Sequence, residues 1–189
     1  DIRFSRRLGL ELSTPFHISI APNRDLTLTP HVFTESLPAL EGRYRELNSL
    51  GAFTLGGFVT YGDRTGFNPN DRDRGIRAYG EAYGKFQFDP VWSLTSHFRA
   101  TTDKTMPRRY DITRDDRFRN FLNLERLDTD SYISIAGWAF QGLRQQDVQK
   151  RIPIALPAID ARWRLETPRI GGRVELQANS LAILRRDGQ

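Results

Sequence analysis

The sequence predicts an all-β protein, an antiparallel up-and-down transmembrane β-barrel segment of about ten strands. Two observations predict this fold class. Apolar residues recur at every second position along most of the chain, as in strands with one apolar face. Five short turns also alternate with four longer, charged connections. Outer-membrane barrels sort their connections by length in the same way.

The turns follow from proline, asparagine, aspartate and glycine residues, which favour tight reversals of the chain. We place the short turns at residues 21–25, 48–51, 89–90, 128–130 and 167–172, and the longer connections at residues 34–38, 62–74, 102–116 and 144–157. The intervening strands are about eight to thirteen residues long, which suits strands tilted about 45° across a bilayer.

The strand over residues 75–88 shows the alternation best. Ile76, Ala78, Gly80, Ala82, Gly84, Phe86 and Phe88 fall on one face, and Arg77, Tyr79, Glu81, Tyr83, Lys85 and Gln87 fall on the other. Residues 92–100, 158–166, 173–185 and, more weakly, 52–61 repeat this pattern, whereas residues 39–47 are polar on both faces and residues 131–143 are apolar on both. A register shift of one residue would invert the faces, so strict alternation constrains each strand.

The composition of the two faces favours a barrel wall over a soluble sandwich. The polar face is rich in Arg, Glu, Tyr and Gln, as a hydrated lumen would be, and the apolar face mixes Gly and Ala with Phe, Leu and Trp. Phe88 and Trp92 flank a tight turn, where a girdle of interfacial aromatic residues is expected. The alternative is a β-sandwich that buries one face in its core.

Two prolines fall within the first two predicted strands. Pro15 and Pro30 are each about seven residues from the turn that the two strands share. Proline has no N–H to give to a ladder, so this region is a place of weak pairing and could form a seam that opens sideways. The alternative is that Pro15 only begins one strand and Pro30 only ends the next.

Composition limits the class of partner. The net charge of +5 and the pI near 9.9 favour an anionic partner, whether nucleic acid, a membrane surface or a phosphorylated lipid. No run approaches the roughly 18 consecutive apolar residues of a membrane helix, which excludes a helical membrane protein. The chain has no cysteine, so disulfides and thiolate metal sites are excluded within it.

The opening segment resembles a known family. Residues 8–30 carry Ser-Thr-Pro, Ala-Pro-Asn and Thr-Pro at the spacing that opens the barrel of the LPS-assembly outer-membrane protein family LptD, also called Imp or OstA. The likeness continues through residues 79–94, 109–112, 124–126, 140–143 and 156–160. It covers nearly the whole chain, which resembles the N-terminal half of that barrel.

The resemblance implies a large barrel in the outer membrane of a Gram-negative bacterium, which inserts lipopolysaccharide into the outer leaflet. It implies as partners lipopolysaccharide, an LptE-type lipoprotein plug and a periplasmic Lpt bridge that docks on a jelly-roll domain absent from this chain. Lipopolysaccharide would leave through a lateral gate at the first strands. The residues that match this gate or flank it are Pro15, Pro30, Phe16, Ile18 and Leu28.

The chain departs from the family pattern at both ends. We expect residues 1–7 to be a remnant of the preceding periplasmic domain and residues 8–189 to be the N-terminal part of the barrel. The jelly roll and the second half of the barrel are missing, so we expect a fragment, or the ordered part, of a longer protein. An isolated half-barrel would also expose two sheet edges.

Several side chains on the predicted lumen face are candidates for contact with lipid A phosphates or acidic core sugars, because Arg pairs bidentately with phosphate. They are Arg77, Tyr79, Lys85, Arg99, Arg162, Arg164 and Arg173. The alternative is that the basic residues only balance carboxylates of a solvated lumen. For the charged residues 108–117 we expect a solvated loop, with an internal salt-bridge network or folding into the lumen as alternatives.

We predict no metal site, no cofactor and no catalytic site. Asp63, Asn68, Asn70, Asp71 and Asp73 fail the spacing of a calcium loop, and the three histidines lack metal-ligand spacing. No Gly-x-Ser-x-Gly elbow is present. Two alternatives to a transport barrel stay open: a soluble basic β-domain that binds polysaccharide or nucleic acid, and a membrane-embedded enzyme with a Ser–His or carboxylate cluster.

Overall fold

The structure, a computed structural model, describes residues 1–65, 72–166 and 171–185, and in them one antiparallel sheet of twelve strands. The strands are β1 (Ile2–Ser5), β2 (Gly9–Ser13), β3 (Phe16–Ala21), β4 (Arg24–Phe33), β5 (Ala39–Asn48), β6 (Gly51–Thr65), β7 (Arg72–Gln87), β8 (Trp92–Thr101), β9 (Arg117–Leu127), β10 (Ser131–Gly142), β11 (Ile154–Glu166) and β12 (Arg173–Leu184). Helix α1 (Met106–Arg109) and a 3-10 turn (Gln149–Arg151) lie in two of the connections. Neither of these short helical segments, within the described ranges, is long and apolar enough to cross a membrane.

The sheet has the predicted up-and-down order. From β4 to β12 each strand pairs with its neighbours in sequence, all antiparallel. The strand count exceeds the predicted number for two reasons. β2 and β3 are two parts of one predicted strand, and both pair with β4. β1 adds a strand within residues 1–7, where none was predicted. The described residues form one sheet, so no second sheet covers the apolar face as a sandwich requires.

Most predicted connections fall between the observed strands, with two differences. The predicted loop over residues 62–74 is shorter, because β6 runs to Thr65 and β7 starts at Arg72. Opposite charges face each other there in the register, at Asp63 and Arg74, and extend the ladder. Strand β11 begins at Ile154 inside the predicted loop 144–157, where it pairs with the apolar end of β12 at Leu184. Asn68, Asn70 and Asp71 of the rejected calcium pattern lie outside the described residues.

The pairing register sorts the side chains into two faces, because directly opposed residues on neighbouring strands share a face. His31, Ala39, Thr60 and Arg77 are opposed in turn across β4 to β7 and belong to a polar face, here called the lumen face. The opposite face, here called the outer face, carries the residues that were predicted to be apolar. Large hydrophobic side chains are exposed on it, among them Leu55, Val59, Ile76, Phe98 and Leu176.

A small core lies on the lumen face at the end of the sheet where the longer connections are. Leu8, Phe33, Ala39, Phe58 and Met106 are buried together, and Tyr79, Tyr110 and Ile112 pack against them. The connection 102–116 therefore folds onto the lumen face. This corrects the expectation of a solvated loop over residues 108–117: its apolar residues are drawn into the core, while several of its charged residues stay exposed.

The first residues continue the sheet edge. β1 pairs with β2 over four residue pairs, from Ile2 opposite Leu12 to Ser5 opposite Gly9. The assignment of residues 1–7 to the remnant of a preceding domain stays a prediction.

Candidate functional site

The ladder between the first predicted strand and β4 is broken at Thr14 and Pro15. Pairing with β4 stops at Ser13, which faces His31, and resumes at Phe16, which faces Leu28. One backbone bond crosses the break, and it is long: the Thr14 N–H donates to the Pro30 carbonyl at 3.4 Å. Pro30 has no N–H to donate in return, so the pair at this position lacks its second hydrogen bond.

The two prolines act on opposite edges of the same short stretch. Backbone groups of successive residues in a strand point to alternate edges. Ser13 therefore points to β1, where its N–H donates to the Asp1 carbonyl at 2.9 Å and its carbonyl accepts from the Asp1 amino group at 2.6 Å. Pro15 is oriented like Ser13 and lies beyond the end of β1. The N–H that Pro15 lacks would point to the edge of the sheet away from β4. The N–H that Pro30 lacks would point from β4 to Thr14, so its absence weakens the contact with β4.

The structure brings the two prolines to diagonal positions across one break, called here the proline break. Pro15 directly precedes β3, which fits the alternative that it only begins a strand. Pro30 lies inside β4 and pairs with Leu40 on the β5 side, so it does not end its strand.

The apolar residues assigned to a gate form one patch on the outer face beside the break. Phe16 faces Leu28 in the register, and Ile18 faces Leu26. Phe16 and Ile18 are exposed and Leu28 is half-buried. Their role as a gate stays a prediction.

The lumen face beside the break forms a polar groove with a volume of about 660 Å³. His31 lies in it between two carboxylates, with Nδ1 2.8 Å from Glu11 Oε1 and Nε2 3.5 Å from Glu41 Oε2. The contact with Glu11 joins β2 to β4 next to the proline break. Across the groove, Glu81 Oε1 forms a hydrogen bond with His97 Nε2 at 2.6 Å. Its Oε2 accepts a hydrogen bond from the Tyr79 hydroxyl at 3.1 Å. The lining also includes Arg43 and Arg45, so the groove offers hydrogen-bonding groups of both charges.

The register places all of the predicted lumen residues on the lumen face, in two groups. Arg77, Tyr79 and Arg99 lie towards the longer connections; Lys85, Arg162, Arg164 and Arg173 lie towards the short turns. In the second group the side chains are exposed, and Arg162 forms a 3.0 Å ion pair with Asp160. Whether any of them contacts lipopolysaccharide stays a prediction.

Arg77 is on the predicted face but is enclosed by protein. Its side chain is 2% exposed and its Nε lies 3.1 Å from a carboxylate oxygen of Asp103, which is fully buried. The Tyr110 ring covers the guanidinium at 5.5 Å. A ligand in the lumen has no access to Arg77 in this arrangement, so its charge serves to hold the connection 102–116.

Arg99 has a similar but more open environment. Its Nη1 lies 2.7 Å from Asp115 Oδ2, and the guanidinium stacks 4.9 Å from the centre of the buried Phe118 ring. Tyr79 packs edge-on against the same ring at 5.5 Å. The contact with Phe118 holds the Tyr79 ring, which lines the groove.

Sequence reasoning missed Asp103 and Lys104, which anchor the folded connection. Asp103 Oδ1 accepts hydrogen bonds from the Thr105 N–H at 2.6 Å, the Thr105 hydroxyl at 2.7 Å and the Met106 N–H at 3.2 Å, so it holds the backbone just before and at the start of α1. Lys104 Nζ donates to the Asp147 carbonyl at 2.7 Å and so joins this connection to the one after β10. The Asp-Lys-Thr-Met-Pro run is a helix-start signal that could have indicated where α1 begins, though not the buried partner of Asp103.

A second set of contacts, here called the Asp116 clasp, joins the same two connections at the surface. Asp116 accepts hydrogen bonds from both Arg108 and Arg144. The hydrogen bond from Arg144 is the main cause that holds the pKa of the Asp116 carboxyl below its usual range, and the charges of Arg144 and Arg108 act in the same direction. The described residues contain no group of side chains that could hold a metal ion.

Comparison with known proteins identifies the family. The family model LptD, described as LPS transport system D, matches residues 75–189, more than half of the chain. LPS-assembly protein LptD of Chromohalobacter salexigens is 28% identical over 178 residues, and that of Nitrosomonas eutropha is 30% identical over 159 residues. These alignments cover 84% and 80% of this chain. LPS-assembly protein LptD of Psychrobacter cryohalolentis is 32% identical over 91 residues, 47% of this chain.

The chain spans only part of these relatives, namely 21% of the Chromohalobacter and Nitrosomonas proteins and 8% of the Psychrobacter protein. The matched region agrees with the fold, since residues 75–189 contain most of β7 and the strands that follow it. The chain therefore belongs to the LptD family of β-barrel proteins in the outer membrane of Gram-negative bacteria.

Proposed function

We propose that the protein to which this chain belongs inserts lipopolysaccharide into the outer leaflet of the outer membrane, with the proline break as part of a lateral gate. The observation that carries the proposal is the convergence of Pro15 and Pro30 on one interruption of the wall. The names of the related proteins, which describe LPS assembly, support the same substrate.

The chemistry of the two faces at the break suits an amphiphile. Phe16, Ile18 and Leu28 lie on the outer face, where acyl chains would meet lipid. His31, Glu11 and Glu41 lie on the lumen face, where sugar hydroxyls would find hydrogen-bond partners. A molecule that crosses the wall at this point keeps its apolar part in lipid and its polar part in water. A break elsewhere in a fully bonded wall would have to separate more ladder hydrogen bonds.

The proposed partners follow from family membership. An LptE-type lipoprotein would occupy the lumen of the complete barrel, and a periplasmic Lpt bridge would deliver lipopolysaccharide through a jelly-roll domain outside this chain. The activity proposed is transport and assembly, with no catalytic step.

Site-specific photo-crosslinking in the full-length protein, in cells that make lipopolysaccharide, tests the proposal. Probes at Ile18 and Leu28 report on the outer face at the break, a probe at Tyr79 reports on the lumen face, and a probe at Leu94 is the outer-face control away from it. We expect lipopolysaccharide adducts at Ile18, Leu28 and Tyr79 and none at Leu94. A correctly inserted protein without adducts at the first three positions would contradict the proposed path.

A further inference from the structure

A second cavity, at the end of the sheet with the longer connections, is strongly cationic. It has a volume of about 640 Å³ and lies between the turn that joins β1 to β2 and the residues of α1 and its continuation. Five arginines line it, with Asp111 as their carboxylate neighbour: Arg6, Arg7, Arg108, Arg109 and Arg114. We call it the rim pocket.

Much of the positive charge in the rim pocket is unbalanced. Arg108 is committed to Asp116, and Arg114 lies 3.6 Å from Asp111 with both side chains largely exposed. Arg6, Arg7 and Arg109 have no ion-pair partner among the described residues. Arg109 is half-buried and its Nε is enclosed without a hydrogen-bond acceptor within the described part of the chain. A buried N–H without an acceptor is unfavourable, so binding of a ligand that supplies an acceptor oxygen at this position is favoured.

Packed elements hold both walls of the rim pocket in place. On one side, Leu8 belongs to the buried core, its N–H donates to Ser5 Oγ at 3.1 Å, and its carbonyl accepts from the Glu35 N–H at 3.2 Å. On the other side, Asp103 accepts a hydrogen bond from the Met106 N–H at the start of α1, and Met106 is fully buried. Arg6 and Arg7 on one wall, and Arg109 on the other, are therefore carried by fixed backbone, which lowers the entropic cost of binding an anion between them.

The groove beside the proline break is a poorer anion site. Its lining includes the carboxylates of Asp1, Glu11, Glu41, Glu81 and Asp111 against the guanidinium groups of Arg3, Arg43 and Arg45, so the carboxylates outnumber the guanidinium groups. The rim pocket has the opposite balance. Arginine binds phosphate bidentately, and several arginines around one cavity suit a group that carries more than one negative charge.

We infer that the rim pocket binds the phosphate groups of a phosphorylated glycolipid headgroup. The inference rests on the proposed function, which brings such headgroups to this barrel, and adds a site for them that is separate from the proline break. The sugar-bearing part of the molecule would then extend towards the polar groove, which Asp111 also lines.

The test compares binding of two purified glycolipids by the full-length protein in detergent: bis-phosphorylated lipid A and the same lipid with its phosphates removed. The pocket variant is Arg6→Gln/Arg7→Gln, whose residues are exposed in a turn. The matched control is Lys150→Gln/Arg151→Gln, which removes the same charge from exposed positions in another of the longer connections. We expect the pocket variant to bind phosphorylated lipid A at least about tenfold more weakly, as the loss of one charge-assisted contact would give. The control should change by less than about twofold, and the dephosphorylated lipid should not distinguish the proteins.

Two further arms test the geometry and the source of the phosphate. Arg109→Lys keeps the charge but cannot bind phosphate bidentately, so we expect an affinity between those of the wild type and the pocket variant. Inorganic phosphate as competitor should displace the glycolipid only weakly. Equal losses in the pocket and control variants would show general charge attraction and overturn the inference. Displacement by inorganic phosphate at the same concentration as the glycolipid would assign a free-anion site instead.

Failure of this inference is separable from failure of the proposed function. Surface lipopolysaccharide in cells reports on the function of the whole protein, and glycolipid binding in detergent reports on the rim pocket. Normal surface lipopolysaccharide with no phosphate preference in wild-type binding would remove the rim pocket assignment and leave the transport proposal standing.

Discussion

At the scale of single residues, the buried pair of Arg77 and Asp103 holds the connection 102–116 on the lumen face. Both side chains are almost fully buried, and each charge is tolerated because the other lies 3.1 Å away. We predict that Asp103→Asn destabilises this connection by about 3–5 kcal/mol, since it leaves a buried guanidinium without its counter-charge and weakens the hydrogen bonds from the Thr105 and Met106 N–H groups. Limited trypsin digestion of the folded protein, read out as cleavage after Arg108 and Arg109, measures the opening.

The matched control for this prediction is Asp115→Asn. Asp115 also pairs with a lumen arginine, Arg99, at 2.7 Å, but it is itself 47% exposed. An exposed pair contributes about 0–1 kcal/mol, so cleavage should hardly change. Equal protection of Arg108 and Arg109 in Asp103→Asn and the wild type would show that the core around Met106 holds the connection without the ion pair.

Asp116 gives a prediction about pH at the same scale. Its pKa is lowered by the hydrogen bond from Arg144 and by the charges of Arg144 and Arg108, so the folded clasp favours the ionised carboxylate. The stabilisation is present above the usual pKa of aspartate, about 3.9, and is lost as the pH falls through the lower value in the folded protein. Carbon NMR of labelled aspartate, with Asp116→Asn to assign the signal, measures the midpoint. Titration at or above about 3.9 would show that the clasp is not formed in solution.

At the scale of elements, the two prolines should differ in effect. The backbone nitrogen and carbonyl of Pro30 point to Thr14 on the partner strand, whereas those of Pro15 point to the edge of the sheet away from β4. Pro30→Ala therefore supplies an N–H that can complete the hydrogen-bonded pair with Thr14, worth about 0.5–1.5 kcal/mol. We predict slower hydrogen exchange around the break and slower delivery of lipopolysaccharide to the surface, by a few-fold to about tenfold.

Pro15→Ala should have the smaller effect on exchange at the β4 contact, and the double variant should slow delivery most. Pro22→Ala, in the turn between β3 and β4, is the control for loss of proline rigidity away from the break. Unchanged delivery in the double variant, with slower exchange around the break, would separate the proline break from transport.

The elements also differ in how much of their structure the sequence predicts. Strands such as β7 and β8 could be predicted with their faces, because a period of two encodes which side chains meet lipid. The fold of the connection 102–116 could not, because the partner of Asp103 lies on β7 and sequence spacing does not give distances between elements. The rim pocket was missed for the same reason: Arg6 and Arg7 come from one connection and Arg109 from another. The extension of β6 and β7 to Thr65 and Arg72 was missed because charged residues were read as loop, although opposite charges can face each other within a ladder.

At the scale of the whole molecule, the sheet has an outer face of exposed hydrophobic side chains. Its edge strands are β1 and β3 on one side and β12 on the other, and each pairs with one strand within the described residues. In water such a surface would aggregate. Lipid would cover the hydrophobic side chains of the outer face, and further strands would supply the hydrogen bonds that the edges lack. The predicted alternative of a soluble basic β-domain leaves the outer face unexplained.

Neighbouring residues in the middle of β9 test this assignment of faces. Leu122 lies on the outer face and is 44% exposed, whereas Asn123 lies on the lumen face and bonds with Ser134 Oγ at 2.8 Å. Arginine on the lipid side of a barrel costs about 2–4 kcal/mol near the bilayer midplane, and lumen substitutions cost far less. We therefore predict that Leu122→Arg lowers the free energy of unfolding of the full-length protein in lipid vesicles by this amount, while Asn123→Arg lowers it by no more than about 1 kcal/mol. Urea titration of both variants gives the comparison.

Because the two positions are adjacent in sequence and equal in depth, a similar loss in both would mean that the outer face does not meet lipid. A larger loss for Asn123→Arg would mean that the faces are reversed.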